Sequence, residues 1–260
     1  MDFGISGRTA LITGGSKGIG YAIASSLVAE GCCVVLAARS DDELAAAAAS
    51  LRQLSNADVQ TFSIDTADGA RREQLVSAFP DIDILINNAG AIPAGSLDAM
   101  SDQQWRSAWD VKVFGYINLT RAYLAKMKAR KRGVIVNIIG VAGERLDSHY
   151  LAGCSGNAAL MAFTKAVGGT SLYDGVRVVG VNPGPVGTDR LFYLQKTIAR
   201  TKFGDEERWP ELLAHMPYKR AATPQEIANT VVFLASDLSS YTSGTIFNVD
   251  GGLSSRNSMF

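Results

Sequence analysis

The run Thr13-Gly14-Gly15-Ser16-Lys17-Gly18-Ile19-Gly20 follows directly on the apolar stretch Thr9–Ile12 and opens a helical pattern. A strand that turns into a helix through glycines leaves backbone amides uncovered and aims a helix N-terminus outward, which suits a pyrophosphate. Gly14, Gly18 and Gly20 supply a tight turn, a close approach of ligand to backbone, and close helix–strand packing. A glycine-rich turn alone is a weak sign, and its place after the first strand strengthens it.

Outward from that turn, short apolar β-rich runs alternate with helical patterns along the chain. The strands are read at Thr9–Ile12, Cys33–Ala37, Val59–Ile64, Ile82–Ile86, Val134–Ile138, Val178–Val181 and Ile246–Val249. Near-continuous apolar strands separated by helices describe a parallel sheet covered on both faces. Helix starts are marked by Ser40 before Asp41, Asp42 and Glu43, by Ser101 with Gln104, and by Thr223 with Glu226 and Pro224; these are N-cap, capping-box and first-turn signals. Gly31 closes the first helix. The expectation is an α/β chain with one Rossmann-type, doubly wound parallel sheet of about seven strands. It spans 1–260 as a single domain. Residues 188–218 break the alternation, carry Phe192, Tyr193, Trp209 and Tyr218, and read as a long loop serving as a substrate lid.

Lys and Arg number 25 and Asp and Glu number 25, so no overall field draws the chain to nucleic acid or to an acidic membrane. No run of apolar residues is long enough for a transmembrane helix, and the first residues lack a basic segment followed by an apolar one. Cys32, Cys33 and Cys154 are odd in number and lack metal-ligand spacing. They read as core or near-core thiols in a reducing cytoplasm, and no metal site is expected.

Several marks together resemble the classical short-chain dehydrogenase/reductase family. Thr13-Gly14-x-x-x-Gly18-x-Gly20 is similar to its cofactor fingerprint, and Asn87-Asn88-Ala89-Gly90 to the turn after its fourth strand. Asn182-Pro183-Gly184, followed by Val186 and Thr188, resembles the segment that holds the nicotinamide amide; Ser243-Gly244 and Asp250-Gly251-Gly252 resemble the C-terminal strand. The resemblance implies a nicotinamide dinucleotide held by Gly14, Ser16, Lys17, Gly18, Ile19, Gly20, Arg39, Asp65, Asn88, Ala89, Gly90, Asn157, Pro183, Gly184, Val186 and Thr188, with Asp65 at the adenine. Strand two ends Ala37-Ala38-Arg39 without a carboxylate for a ribose 2′-hydroxyl, whereas Lys17 and Arg39 suit a 2′-phosphate. NADP(H) is therefore expected over NAD(H). The resemblance also implies a homodimer or homotetramer, through a surface containing Phe114, Tyr116, Tyr123 and Met127.

The family's catalytic Asn, Ser, Tyr and Lys are expected at positions that here read Lys112, Gly140, Gly153 and Asn157. The frame is set by Val111-Lys112-Val113-Phe114-Gly115, by the end of the strand Val134–Ile138, and by Ala158-Ala159-Leu160. Glycine offers neither a proton nor a side-chain hydrogen bond, so the usual relay has no group at 140 or 153. Lys112, Tyr150 and Asn157 are the expected replacements, with His149 in reserve and Glu144 behind it; Arg145 and Asp147 share that loop. The leading function is an oxidoreductase on a carbonyl or alcohol of a small, partly apolar substrate. The alternatives are non-redox isomerase, lyase or hydratase chemistry on the same fold, or a nucleotide-binding protein without turnover.

Overall fold

The computed structural model describes residues 2–55, 57–90, 92–214 and 216–256. Seven strands form one parallel sheet: β1 Thr9–Thr13, β2 Cys33–Ala38, β3 Val59–Ser63, β4 Ile84–Asn87, β5 Gly133–Ile138, β6 Val176–Pro183 and β7 Ile246–Val249. Their spatial order is β3-β2-β1-β4-β5-β6-β7, and every pairing is parallel. The order reverses between β1 and β4, and such a switch point opens a crevice at the strands' carboxyl ends.

Side chains alternate across the sheet. Ile12 packs with Ile23 and Leu27 of α1 (Gly18–Ala29), Leu44 and Leu51 of α2 (Asp41–Leu54), and Ile227 and Val231 of α8 (Pro224–Ala235). Its neighbour Leu11 faces the other way, toward Leu75 of α3 (Gly69–Ala78) and Leu119, Tyr123 and Met127 of α5 (Gly115–Arg130). Between β5 and β6 runs α6 (Leu151–Ser171). Tyr116, Tyr123 and Met127 are buried within this one chain, so they are core residues rather than the subunit surface expected of them; only Phe114 of that group is exposed.

The caps form as the sequence predicts. Ser40 accepts from the Glu43 amide, and both Ser101/Gln104 and Thr223/Glu226 close as capping boxes. Strand ends differ from expectation by at most two residues, most at β6, which extends to Val176 and Pro183.

The larger correction lies between β6 and the C-terminal strand. The expected long loop begins as helix α7, Asp189–Phe203. Thr188 caps it, Arg200 and Lys202 occupy its last turn, and Gly204 follows at φ +75°; these are ordinary start and stop signals. The 3₁₀ segment Glu206–Leu213 lies against α7, with the Phe192 and Trp209 rings 5.1 Å apart.

Candidate active site

Lys17 is the N-cap of α1 and provides no side-chain cap, so the first-turn amides face the crevice without a side-chain acceptor from it. The turn before them tolerates no side chain at Gly20, where a β-carbon would lie 2.2 Å from the Gly14 carbonyl oxygen. Asn88 fixes this turn to the end of β4, donating to the Thr13 and Gly14 carbonyls at 3.0 and 3.2 Å. Thr13 Oγ1 returns the connection by accepting from the Asn88 and Ala89 amides. The Asn88 side chain is thus a tie between two loops, and Ala89 and Gly90 form the adjoining wall.

A cavity of about 1090 Å³ follows the switch point. It runs from Lys17, Arg39 and Asp65 past Gly14, Ser16, Gly18 and Ile19 to Asn88, Ala89, Gly90, Lys112, Pro183, Gly184 and Thr188. Most of the expected cofactor residues therefore share one cleft; Gly20, Asn157 and Val186 do not line it. Gly20 works from behind, by letting α1 approach the turn. The bare helix start, the glycine cradle and the cations at one end together fit a dinucleotide with an extra phosphate.

The cationic end has a feature the sequence reading missed. Lys17 Nζ lies 2.7 Å from Glu43 Oε1, and Ser16 Oγ donates to Glu43 Oε2 at 3.2 Å. The Lys17 ammonium is the main reason the Glu43 carboxyl is held below its usual range. Glu43 also lines the cavity, so a phosphate would meet Lys17 already paired; Arg39 makes no ion pair among the described residues. The available signal was Glu43's place in the first turn of α2, next to the end of β2.

At the opposite end, Lys112 sits in a π-helical turn, Asp110–Phe114, joining α4 (Asp102–Trp109) to α5. Such bulges redirect side chains and are frequent at functional sites. The turn buries Lys112 to 9% exposure, and Nζ donates to the Ile139 carbonyl at 2.5 Å. Burial first, and the Arg190 charge second, pull its pKa down to about 8. Gly90, at φ +148°, gives way to this side chain: a β-carbon there would stand 2.8 Å from Lys112 Cγ.

Asn157 approaches the same end of β5 from α6. Its Nδ2 lies 3.1 Å from where a β-carbon on Gly140 would stand, and its buried Oδ1 has no partner among the described residues. Tyr150, the N-cap of α6, is half-buried against Ile92, Trp105 and Trp109. Its ring lies where a Gly153 side chain would begin. Burial raises the phenol's pKa, opposed by the Arg190 charge. Lys112 and Asn157 thus meet at Ile139–Gly140, with Tyr150 beside Gly153, but of the three only Lys112 lines the cavity.

His149 is placed elsewhere. Its side chain is 84% exposed, and the ring lies near Asp147 and Ser148 in the loop before α6. Glu144 is tied into a polar knot: Asn248 Nδ2 donates to it at 2.7 Å and Asn182 Nδ2 at 3.4 Å, while Asn182 Oδ1 accepts from the Gly140 amide. These contacts give Glu144 a structural part, bracing the Gly140 turn against β6 and β7.

Arg190 is a second site residue, after Glu43, that sequence reasoning missed. It belongs to the first turn of α7, lines the cavity, and donates to the Ile92 carbonyl at 2.9 Å, linking α7 to the loop after β4.

Comparison with known proteins agrees with this geometry. The family model for short chain dehydrogenase matches residues 8–198. The chain is 34% identical over 258 residues to an uncharacterized oxidoreductase of Mycobacterium bovis, covering 95% of this chain and 97% of that one. It is 31% identical over 249 residues to the 3-oxoacyl-(acyl-carrier-protein) reductase of Haemophilus influenzae, covering 96% and 99%. Among solved structures, L-sorbose reductase from Gluconobacter frateurii, complexed with NADPH and L-sorbose, superposes with a TM-score of 0.91 at 34% identity, covering 99% of this chain and all of that one. With its seven-stranded parallel sheet and its glycine turn at the switch point, the chain belongs to the short-chain dehydrogenase family.

Proposed function

We propose that this chain is an NADP(H)-dependent oxidoreductase that interconverts a carbonyl and an alcohol, with Lys112 acting on the reacting oxygen. The observation that carries the reading is the single cleft, closed at one end by Lys17 and Arg39 and at the other by Lys112. Two similar solved structures, the sorbose reductase and an actinorhodin polyketide ketoreductase, contain NADPH, which supports the choice of cofactor.

When bound, the nicotinamide supplies or accepts a hydride. The chain's own groups handle orientation and the proton. Gly14, Ser16, Gly18 and Ile19 would hold the pyrophosphate at the α1 N-terminus, Arg39 and Lys17 the 2′-phosphate and Asp65 the adenine, while Pro183, Gly184 and Thr188 would border the nicotinamide with Val186 packed behind them. Lys112 holds an ammonium in a poorly solvated place, where a positive charge stabilises an oxygen gaining negative charge far more than it would in water. With its pKa drawn down to about 8, Lys112 is also a competent proton donor near neutral pH.

In this reading, with Ala158-Ala159-Leu160 as the frame, Gly140 and Gly153 stand where the family carries its Ser and Tyr. This reading of a rebuilt site is supported by what fills the two vacated spaces: the Asn157 amide beside Gly140 and the Tyr150 ring beside Gly153. Tyr150, which stands beside Gly153 and outside the cleft lining, would serve as the second acid–base group by turning toward the cleft. Asn157 Oδ1, buried and unpartnered among the described residues, offers an acceptor for a water that would link it to the cofactor ribose. The segment 188–218, built on α7, acts as the substrate lid, and its Tyr193 contributes an apolar wall to the cleft.

The test is fluorescence titration with NADPH and NADH, followed by absorbance assays of NADPH loss over a panel of ketones, aldehydes and oxo acids. Tighter NADPH binding with turnover on the panel is expected. Bound nucleotide with silence throughout would favour non-redox chemistry.

A further inference from the structure

Lys112 and Arg190 are two cations on one cleft, close enough for the guanidinium to depress the ammonium's pKa. Among the described residues neither forms an ion pair. Lys112 donates to the Ile139 carbonyl and Arg190 to the Ile92 carbonyl, both neutral acceptors. Elsewhere the chain pairs its cations readily, as in Arg220 with Glu226 and Arg130 with Asp81. Asp189 also lines the cleft, but makes no ion pair among the described residues. A buried ammonium that shares the cleft with an exposed guanidinium, neither of them ion-paired among the described residues, raises the local potential, and an arriving anion relieves it. The Arg190 fork is also suited to a planar carboxylate, which it can grip through two parallel N–H bonds.

Resting on the reading of the cleft as a nicotinamide site, we propose that the substrate is an oxo acid, its carboxylate held by Arg190 and its carbonyl oxygen placed at Lys112. Arg190 is carried by α7 and bonded to the loop after β4, so it stands at the lid side of the cleft. The cations Lys17 and Arg39 line the same cleft, and the glycine turn meets α7 at its cap, where a β-carbon on Gly18 would lie 3.3 Å from Thr188 Cγ2. Arg190 sets the substrate's charge in this arrangement, and its effect on the phosphates is what the NADPH titration below reads.

The test is calorimetric titration of NADPH-saturated protein with oxamate, an unreactive carboxylate–carbonyl pair, and with its uncharged counterpart oxamide. The expected result is oxamate binding about tenfold or more tighter than oxamide, equivalent to roughly 1.4 kcal/mol. Arg190→Gln should erase that preference and leave the NADPH Kd within about two-fold, since a lost carboxylate fork need not disturb the phosphates. Equal binding of the two probes by the unmutated protein would overturn the proposal. So would an Arg190→Gln variant that loses NADPH as strongly as oxamate, which would make Arg190 a cofactor residue. Failure of NADPH itself to bind would instead overturn the underlying cofactor reading, so the two failures are distinguishable.

Discussion

The ring of Tyr150 occupies the volume that a β-carbon on Gly153 would need, since such a carbon would lie 2.1 Å from both Tyr150 Cε1 and Cζ. Tyr150 and Gly153 stand one helical turn apart, so the glycine is what lets the tyrosine turn inward along α6. Two residues here share one side chain's worth of space.

That relationship yields a double-mutant prediction. Gly153→Ala should destabilise the protein by about 1–3 kcal/mol, the usual cost of forced overpacking. In a Tyr150→Ala background the sign should reverse, because alanine is then favoured over glycine in a helix by about 0.5–1 kcal/mol. Urea unfolding of the four proteins measures both effects, and additive costs would mean the ring does not hold that position in solution. Gly153→Tyr combined with Asn157→Lys should likewise fail to give an efficient enzyme, because Gly140 and Lys112 remain unchanged and the Tyr150 ring fills the space at 153.

Cofactor selectivity should respond in opposite directions to two neighbours. Arg39→Ala should weaken NADPH by about 1–3 kcal/mol, the worth of a charge-assisted hydrogen bond, and scarcely alter NADH. Glu43→Gln should strengthen NADPH by about two- to five-fold, since it releases Lys17 from an exposed ion pair of modest strength. Parallel fluorescence titrations read both changes, and a Glu43→Gln protein that binds NADPH less well would contradict the competition.

Lys112 also predicts how stability varies with pH in the cofactor-free protein. Its proton leaves the folded state at about 8 and the unfolded chain at about 10.5. Between those values the unfolded state binds more protons, so Lys112's contribution to stability rises with pH across that window and is least favourable below pH 8. Denaturation midpoints collected from pH 7 to 10.5 should show the rise in the unmutated protein and its loss in Lys112→Met. Identical profiles would mean the ammonium is not desolvated as the structure implies.

A purely structural cation provides the contrast. Arg177 is buried in β6, where it donates to the Leu234 and Ser236 carbonyls and to Ser239 Oγ, receiving the C-terminal end of α8. Arg177→Met should cost at least about 3 kcal/mol, because several buried acceptors lose their donor at about 1–3 kcal/mol each. NADPH affinity of the folded fraction should remain unchanged, as followed by unfolding curves and titration below the transition.

The sheet and its glycine turn were legible because their signals are local. Apolar runs, capping residues and the turn Gly14–Gly20 each determine a few neighbouring dihedrals, and the strands Ile246–Val249 and Thr9–Thr13 appear almost where their residues suggest. Helix α7 was harder to see because its aromatic and charged residues mask a start at Thr188 and a stop at Gly204. The roles of Tyr116, Tyr123 and Met127 were misjudged although they share a helical stripe with Leu119, whose burial in the core they follow. Glu43 on Lys17 and Arg190 against Ile92 join separate elements that the fold brings together; the place of Glu43 in the first turn of α2 is the one hint of the first, and no spacing announces the second. Lys112 was legible as an unusual residue, but its inward course depends on the π-helical turn.

The role assigned to Lys112 is tested most directly by comparing hydride-transfer rate and NADPH affinity in the unmutated protein and in Lys112→Met, on one substrate that the unmutated protein turns over. The account predicts a fall in rate of about 10²–10⁴, the range for a positioned acid or base, with NADPH affinity kept within a few-fold. Full turnover by Lys112→Met on that substrate would contradict it.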